Sequence, residues 1–145
     1  MSPRNLALEL VQSYYDHFNA GRRAEMMSLL ADEVVHDINQ GGTQIGREAF
    51  TAFMQHMDHC YREQVTELAL MANEDGSRIG AEFYILGEYL RSDEGLPEAA
   101  GQRYRLRVGA FFEVRGERIE RVTNYYNLQD WLQQVNTSKP QSGGA

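Results

Sequence analysis

The chain has 145 residues, of which 42% are hydrophobic and 24% are charged, a size typical of one domain with room for an internal pocket. Its formal net charge of -7 disfavours nucleic acids and anionic membranes as partners, because both would repel it. No segment reaches the roughly 18 apolar residues that a membrane-spanning helix needs. The N-terminus has no apolar signal segment, and the single cysteine, Cys60, excludes a disulfide within the chain. These features together predict a cytoplasmic protein.

Three helices and one short strand are predicted in the first 61 residues. The first helix begins at Ser2-Pro3, a typical N-terminal cap, and ends at Gly21. A short second helix is expected over 22–31 and a short strand over 33–40. The third helix, from about 46 to 61, has the clearest helical period, formed by Phe50, Phe53, Met54, Met57 and Tyr61.

Beyond residue 62 the hydrophobic period falls to two, which indicates long antiparallel strands. The final segment around Trp131 predicts a closing helical turn, and 137–145 is polar and glycine-rich, as in a disordered tail. Strands are predicted over 65–71, 79–89, 104–114 and 118–127, with a loop over 91–101.

The order of these elements predicts an α+β fold, because the helices are segregated from an antiparallel sheet. Residues 1–136 are expected to form one domain in which the three helices lie across the concave side of a curved, mainly antiparallel sheet. This arrangement leaves a cone-shaped cavity. We expect its walls to contain Phe18, Val35, Phe53, Met57, Leu106, Val108 and Phe112.

Asp37 is the first candidate for chemistry. It lies among Val34, Val35 and Ile38 in the short predicted strand. A carboxylate in apolar surroundings has a raised pKa, and such a group is suited to removing a proton next to a carbonyl. The alternative is a strand-end aspartate that faces water or caps the turn toward Gly41.

Tyr14 is the second candidate, because it lies on the apolar stripe of the first helix. A buried tyrosine hydroxyl aimed into a cavity can donate a hydrogen bond to a developing oxyanion. The alternative is a core tyrosine with its hydroxyl at the surface. His36 points away from Asp37 in a regular strand, and a structural role is expected for it.

No metal or organic cofactor is expected. His56, His59 and Cys60 lie close in sequence, yet no further ligand appears at a spacing typical of zinc sites. Cys60 is interpreted as a small buried hydrophobe. No phosphate-binding glycine loop and no nucleophile elbow is present.

The outer face of the predicted sheet combines Glu82 and Glu88 with three arginines at 103, 105 and 107, and cross-strand Glu–Arg pairs would explain both sets. Apolar residues such as Leu86 and Phe111 interrupt this polar surface. A homodimer interface on the outer sheet face is therefore the preferred interpretation.

The chain resembles the NTF2-like superfamily, which includes ketosteroid isomerases and SnoaL-type polyketide cyclases, over about residues 5–135. More narrowly, it is similar to the SnoaL-like proteins related to ketosteroid isomerase. The resemblance to the superfamily rests on Tyr14, the NAG break at 19–21, LLADEVVHD at 29–37 and GREAF at 46–50. The narrower resemblance rests on HDINQG at 36–41, EGLP at 94–97 with GQ at 101–102, and TNYYN at 123–127.

The resemblance implies a cone-shaped fold in which Asp37 is the catalytic base and Tyr14 stabilises the oxyanion. The second acid of the steroid isomerases is missing, since Val108 or Gly109 stands in its place. Asn39, Asn124 and Tyr126 would be polar supports. The expected function is therefore cofactor-free isomerisation or cyclisation of a small hydrophobic carbonyl or enol compound, and the alternative is a non-catalytic ligand-binding or dimerisation domain.

Overall fold

The computed structural model describes residues 2–137 and has the expected α+β architecture, with helices packed on one curved six-stranded sheet. None of its helices is long and apolar enough to cross a membrane. The elements are α1 (Pro3–Ala20), α2 (Arg23–Ser28), β1 (Leu30–Asp37), β2 (Thr43–Ile45), α3 (Arg47–Cys60), β3 (Tyr61–Ala72), β4 (Arg78–Tyr89), β5 (Arg103–Arg115), β6 (Arg118–Tyr126) and α4 (Leu128–Thr137).

Several element bounds differ from the sequence prediction. Strand β1 covers Leu30–Asp37 where 33–40 was expected, and α2 covers Arg23–Ser28 where 22–31 was expected. The three-residue strand β2 was not predicted, because so short a segment has no measurable period. Strand β3 begins directly at Tyr61, four residues earlier than predicted, where polar and apolar residues alternate only weakly. The closing turn is a ten-residue helix that includes Thr137, and the rest of the predicted tail, 138–145, lies outside the described residues.

The strands are arranged in the order β2-β1-β6-β5-β4-β3. β1 and β6 are parallel, and every other neighbouring pair is antiparallel. The β3–β4 register shifts between Thr66 and Ala69, and Glu67 in this bulge has a positive φ of 54°. Bulges of this kind increase strand bending and twist, so the long strands curve around the helices.

Helix α1 is fixed at both ends. The Ser2 Oγ accepts a hydrogen bond from the Asn5 N–H at 3.1 Å, as predicted for the N-terminal cap, and Gly21 ends the helix with a φ of 73°. Just before that glycine, the side-chain amide of Asn19 forms two hydrogen bonds with the backbone of Val65, of 2.9 and 2.8 Å. These bonds attach the end of α1 to β3.

Two aromatic clusters occupy the concave side of the sheet. In the first, Tyr14 and Tyr15 of α1 contact Phe112 with ring centroids 5.4 and 5.7 Å apart. In the second, Trp131 of α4 contacts Tyr104 at 5.9 Å. Since Phe112 and Tyr104 are eight residues apart on β5, about 26 Å of strand separates the two clusters. Between them lies the cavity described below.

Candidate ligand cavity

A cavity of about 300 Å³ lies between the concave face of the sheet and helices α1 and α3. This volume is at the lower end of the range of small-molecule pockets. Its walls are mostly apolar, and the apolar lining includes Phe18, Met26, Phe50, Phe53, Met54, Met57, Phe83, Ile85, Leu106 and Val108.

Most residues predicted for the cavity lie in its wall, and three do not. Asp37, Val35 and Phe112 are absent from the lining. Phe112 is buried in the core beneath the two tyrosines of α1. The predicted residues that do line the cavity are Tyr14, Phe18, Asn39, Phe53, Met57, Leu106, Val108, Asn124 and Tyr126.

The placement predicted for Asp37 is wrong. Its carboxylate lies on the outer face of the sheet, where Arg121 donates hydrogen bonds of 2.8 and 3.2 Å. Thr123 and Thr43 donate two more, of 2.6 and 2.9 Å. The Arg121 hydrogen bond is the main cause that lowers the pKa of Asp37 to about 2, with smaller contributions from the two threonines.

Asp37 therefore connects β1 to both of its neighbours, because Thr43 is its partner on β2 and Thr123 its partner on β6. The alternation of side chains along β1 was predicted correctly, and the wrong face was assigned to the interior. The same error explains Val35, which shares the outer face with Asp37. A carboxylate with four hydrogen bonds and a lowered pKa is a structural anchor and a poor base at neutral pH.

His36 occupies the interior position that was expected for Asp37. Only 2% of the residue is exposed, and its ring stacks on Phe50 with centroids 4.0 Å apart, while Phe53 meets it edge-on at 4.7 Å. Burial lowers the pKa of His36, and the opposing effects of Gln44 and Asp37 are smaller. The imidazole is therefore neutral at neutral pH.

Nδ1 of His36 is buried, and neither this atom nor Oε1 of its β2 neighbour Gln44 completes a well-formed hydrogen bond with a described residue. Because His36 lines the cavity, its ring can contact a bound molecule. The pattern Val34, His36, Ile38 along the strand was the sequence signal for this inward position.

Two further polar side chains belong to the same part of the cavity. Tyr14 is buried, which raises the pKa of its hydroxyl above the ordinary value, so it remains a hydrogen-bond donor. Asn124 lies two residues beyond Val122, the β6 partner of His36, and on the same face. Asn39 lines the cavity too, but both polar atoms of its amide already bond to the backbone of Tyr126, at 3.0 and 3.2 Å.

A carboxyl group of a half-buried residue at the other end of the cavity was not predicted from the sequence. Glu63 lines the cavity, and its carboxylate accepts a hydrogen bond of 2.5 Å from the Tyr104 hydroxyl. Burial raises the pKa of Glu63, despite the opposing effect of Tyr104. The ring of Tyr104 reaches across Gly87, where a Cβ atom would lie 2.2 Å from that ring.

A third polar group joins the end of α3 to the 91–101 loop. His56 Nε2 lies 2.8 Å from Asp93 Oδ1, and the Tyr61 hydroxyl donates to Asp93 Oδ2 at 2.8 Å. Cys60 Sγ lies 3.9 Å from His56 Nε2. Burial, followed by the Asp93 charge, raises the pKa of the Cys60 thiol, which argues against a nucleophilic role at neutral pH.

The family model of the SnoaL-like domain matches residues 11–122, which is most of the chain. The chain belongs to the SnoaL-like family. This assignment agrees with the cavity, because the matched segment contains the second half of α1, all of α3 and most of the strands that form its walls. No curated protein sequence matches the chain.

Three similar solved structures have the same fold. A candidate polyketide cyclase from Xanthomonas campestris is 52% identical, with a TM-score of 0.90 and coverage of 92% of this chain and 99% of that chain. One from Pseudomonas putida is 51% identical, with a TM-score of 0.87 and coverage of 93% and 98%. A third, from Silicibacter, is 45% identical, with a TM-score of 0.87 and coverage of 89% and 94%.

Proposed function

We propose that this SnoaL-like protein binds a small, largely apolar molecule that carries a carbonyl or enol group, and moves a proton beside that group without a cofactor. One observation carries the proposal: a cavity of about 300 Å³ has a neutral, almost fully buried His36 in its wall, in the same region as Tyr14 and Asn124. The two relatives that share about half of the sequence are described as candidate polyketide cyclases, which supports carbonyl chemistry.

In the proposed reaction, Nε2 of His36 removes a proton from the carbon next to the carbonyl. The electron pair moves onto the carbonyl oxygen, and the hydroxyl of Tyr14 and the amide of Asn124 donate hydrogen bonds to the resulting enolate. Return of the proton to a different carbon completes an isomerisation. Attack of the enolate carbon on a second carbonyl in the same molecule, which then takes the proton from His36, completes a cyclisation.

The alternative function is binding without chemistry. The absence of a well-formed hydrogen bond to His36 Nδ1 from the described residues favours this alternative, since catalytic imidazoles are normally held in one orientation by such a bond. In this case His36 is an aromatic wall residue that stacks on Phe50.

Deuterium exchange into 2-tetralone separates the two functions. This apolar ketone has exchangeable hydrogens next to its carbonyl, and NMR in D2O measures their loss. We expect the protein to accelerate exchange, and His36→Phe, which keeps a ring on Phe50 and removes the base, to reduce that acceleration at least about 100-fold. Asp37→Asn, one residue away on the outer face, is the matched control and should change the rate less than about twofold.

Binding is measured in parallel with 2-naphthol, a planar enol analogue with intrinsic fluorescence. Binding of 2-naphthol without acceleration of 2-tetralone exchange would support the non-catalytic alternative. Absence of binding by both compounds at millimolar concentration, or exchange that survives in His36→Phe, would refute the proposed reaction.

We also propose that the outer sheet face forms a homodimer interface. Phe111 and Tyr125 are 56% and 58% exposed and contact each other with ring centroids 6.0 Å apart, and Leu86 is 45% exposed on the same face. Light scattering after size-exclusion chromatography is expected to give a dimer for the wild type and a monomer for Phe111→Glu. Leu6→Glu, which changes a residue of α1 with 48% exposure, should remain dimeric, and a monomeric wild type would overturn this proposal.

A further inference from the structure

Three side chains with metal-binding atoms converge where α3 meets the 91–101 loop. The ligand atoms of His56, Cys60 and Asp93 all lie within 4.8 Å of one another. His56 and Cys60 are one helical turn apart on α3, so their side chains lie on the same face of the helix. Of the residues considered from the sequence, His56, His59 and Cys60, the first and last belong to this cluster. Asp93 was not predicted, because it lies 33 positions beyond Cys60 in a loop.

The separations of these atoms suit a tetrahedral ion. Bonds of the usual zinc lengths place neighbouring ligand atoms about 3.3–3.6 Å apart. The distance from Cys60 Sγ to His56 Nε2 is 3.9 Å, and that from His56 Nε2 to Asp93 Oδ1 is 2.8 Å. Adjustments of about half an ångström by side-chain rotation would bring these two pairs to the required distance, and the third pair, Cys60 and Asp93, lies within 4.8 Å.

Asp93 is held in place by further hydrogen bonds, as metal-binding carboxylates commonly are. The hydroxyl of Tyr61 donates to Oδ2 at 2.8 Å, leaving Oδ1 toward His56. The backbone N–H of Asp93 donates to the Tyr89 hydroxyl at 2.9 Å, and that hydroxyl donates to the Pro97 carbonyl at 2.6 Å. The carboxylate therefore has a defined position although it belongs to a loop.

We propose that His56, Cys60 and Asp93 form a binding site for one divalent transition-metal ion of the zinc type, with the fourth coordination position open to the cavity. Mixed nitrogen, sulfur and oxygen ligands are typical of zinc. His56 and Asp93 line the cavity while Cys60 is only 1% exposed behind them. Water or an oxygen atom of a bound molecule would therefore occupy the fourth position.

The simpler interpretation is an ion pair between His56 and Asp93 that attaches the loop to α3 and binds no metal. The two interpretations differ over Cys60, which has no part in the ion pair. A thiolate bound to cobalt gives a charge-transfer absorption in the near ultraviolet that histidine and carboxylate ligands do not give. Co²⁺ therefore serves as the probe in place of Zn²⁺.

The experiment is titration of the full-length, reduced protein with Co²⁺, followed by displacement with Zn²⁺. We expect one equivalent to produce the thiolate band and Zn²⁺ to abolish it. Cys60→Ala should remove the band completely, and His56→Gln, at a position that is half exposed, should weaken Co²⁺ binding at least about tenfold. Tyr61→Phe, which releases Asp93 Oδ2, should weaken it about 10–100-fold.

His59→Gln is the matched control. His59 lies on the same last turn of α3, is exposed, and has no side-chain hydrogen bond to a described residue, so this variant should bind Co²⁺ as the wild type does. Far-ultraviolet circular dichroism of each variant shows whether it is folded. The proposal is overturned if the wild type shows no thiolate band, or if the band persists unchanged in His56→Gln and in Asp93→Asn.

Discussion

Two adjacent residues of β1 show how differently the two faces of the sheet are used. His36 faces the helices, stacks on Phe50 and is neutral because burial lowers its pKa. Asp37 faces outward and is ionised because the hydrogen bond from Arg121, above all, lowers its pKa to about 2. Both pKa values are lowered, with opposite results for the charge. Burial keeps His36 neutral, whereas hydrogen bonding keeps Asp37 ionised.

This comparison teaches that the residue type did not determine the role. A carboxylate looked like the better base from the sequence, yet its four hydrogen bonds stabilise the charged form. For the imidazole the balance is reversed: burial disfavours the charged form more than Gln44 and Asp37 favour it. On this strand the inward position therefore holds a neutral ring in the cavity wall, and the outward position holds a hydrogen-bonded ion.

The largest expected loss of stability is for a glycine of the inner face, Gly87, and a glycine of the outer face, Gly109, serves as its control. Gly87→Ala places a Cβ atom 2.2 Å from the ring of Tyr104 on the inner face, so that the ring must leave Glu63 and disturb its contact with Trp131. We expect the free energy of unfolding in urea to fall by about 2–3 kcal/mol. Gly109→Ala, where nothing lies within 4 Å, should change it by less than about 0.5 kcal/mol, and equal losses would contradict the proposed crowding.

The next largest loss of stability is expected for Asp37, which connects β1 to β2 and β6 on the outer face. Asp37→Asn removes the charged partner of Arg121, and we expect a loss of about 1–2 kcal/mol at pH 7. Because the folded pKa of about 2 lies below the ordinary value of 3.8, the stabilisation by Asp37 is present above about pH 4 and is lost as the pH falls toward 2. Urea unfolding of both proteins at pH 7, 4 and 3 should show the difference shrinking.

Glu113→Gln is the control for this anchor. Its carboxylate lies 3.9 Å from the same arginine without a hydrogen bond to it, so we expect a smaller loss than for Asp37→Asn. A difference between wild type and Asp37→Asn that stays constant down to pH 3 would contradict the lowered pKa.

A smaller pH dependence of stability is expected from His36 on the inner face, where burial and not hydrogen bonding lowers the pKa. The folded pKa of His36 lies below its ordinary value of 6.5, so the unfolded chain binds this proton first. Stability is then complete above about pH 6.5 and falls as the pH decreases, by at most about 1.4 kcal/mol per pH unit within the window. His36→Phe should lose this component, and NMR titration of the His36 ring should give a midpoint below 6.5.

The smallest effect is expected for an exposed ion pair on the outer face. Arg107 Nη2 lies 2.7 Å from Glu82 Oε2, and both side chains are more than half exposed. A double-mutant cycle with Arg107→Ala and Glu82→Ala, measured by urea unfolding, should give a coupling close to the experimental error, because water screens exposed ion pairs. A coupling well above that error would show that the outer face is covered in solution, as in the proposed dimer.

Much of the fold was predictable because the relevant signals are local. The helical period from Phe50 to Met57, the cap at Ser2 and the alternation from Tyr104 to Val114 each depend on neighbouring residues only. The outer Glu–Arg pairs were predicted only in part. Glu82 pairs with Arg107 on the adjacent strand as expected, whereas Glu88 pairs with Arg62, and Arg105 pairs with Glu67.

The candidate site was predicted less well because its parts come from distant segments. Alternation along β1 showed that His36 and Asp37 point in opposite directions, but only the position of the helices decides which direction is inward. Glu63 lies in a weakly patterned stretch, and its burial depends on Tyr104 crossing Gly87. Asp93 meets His56 only because the 91–101 loop folds back onto α3.

The sequence by itself determined most of the elements, the α+β class and the family, since periodicity, caps and short motifs are properties of consecutive residues. The tertiary structure alone decided which side chains share the cavity and which of them are charged. Those outcomes depend on burial and on partners brought together from 30 or more positions away, such as Arg121 with Asp37 and Tyr104 with Glu63, and no local pattern encodes them.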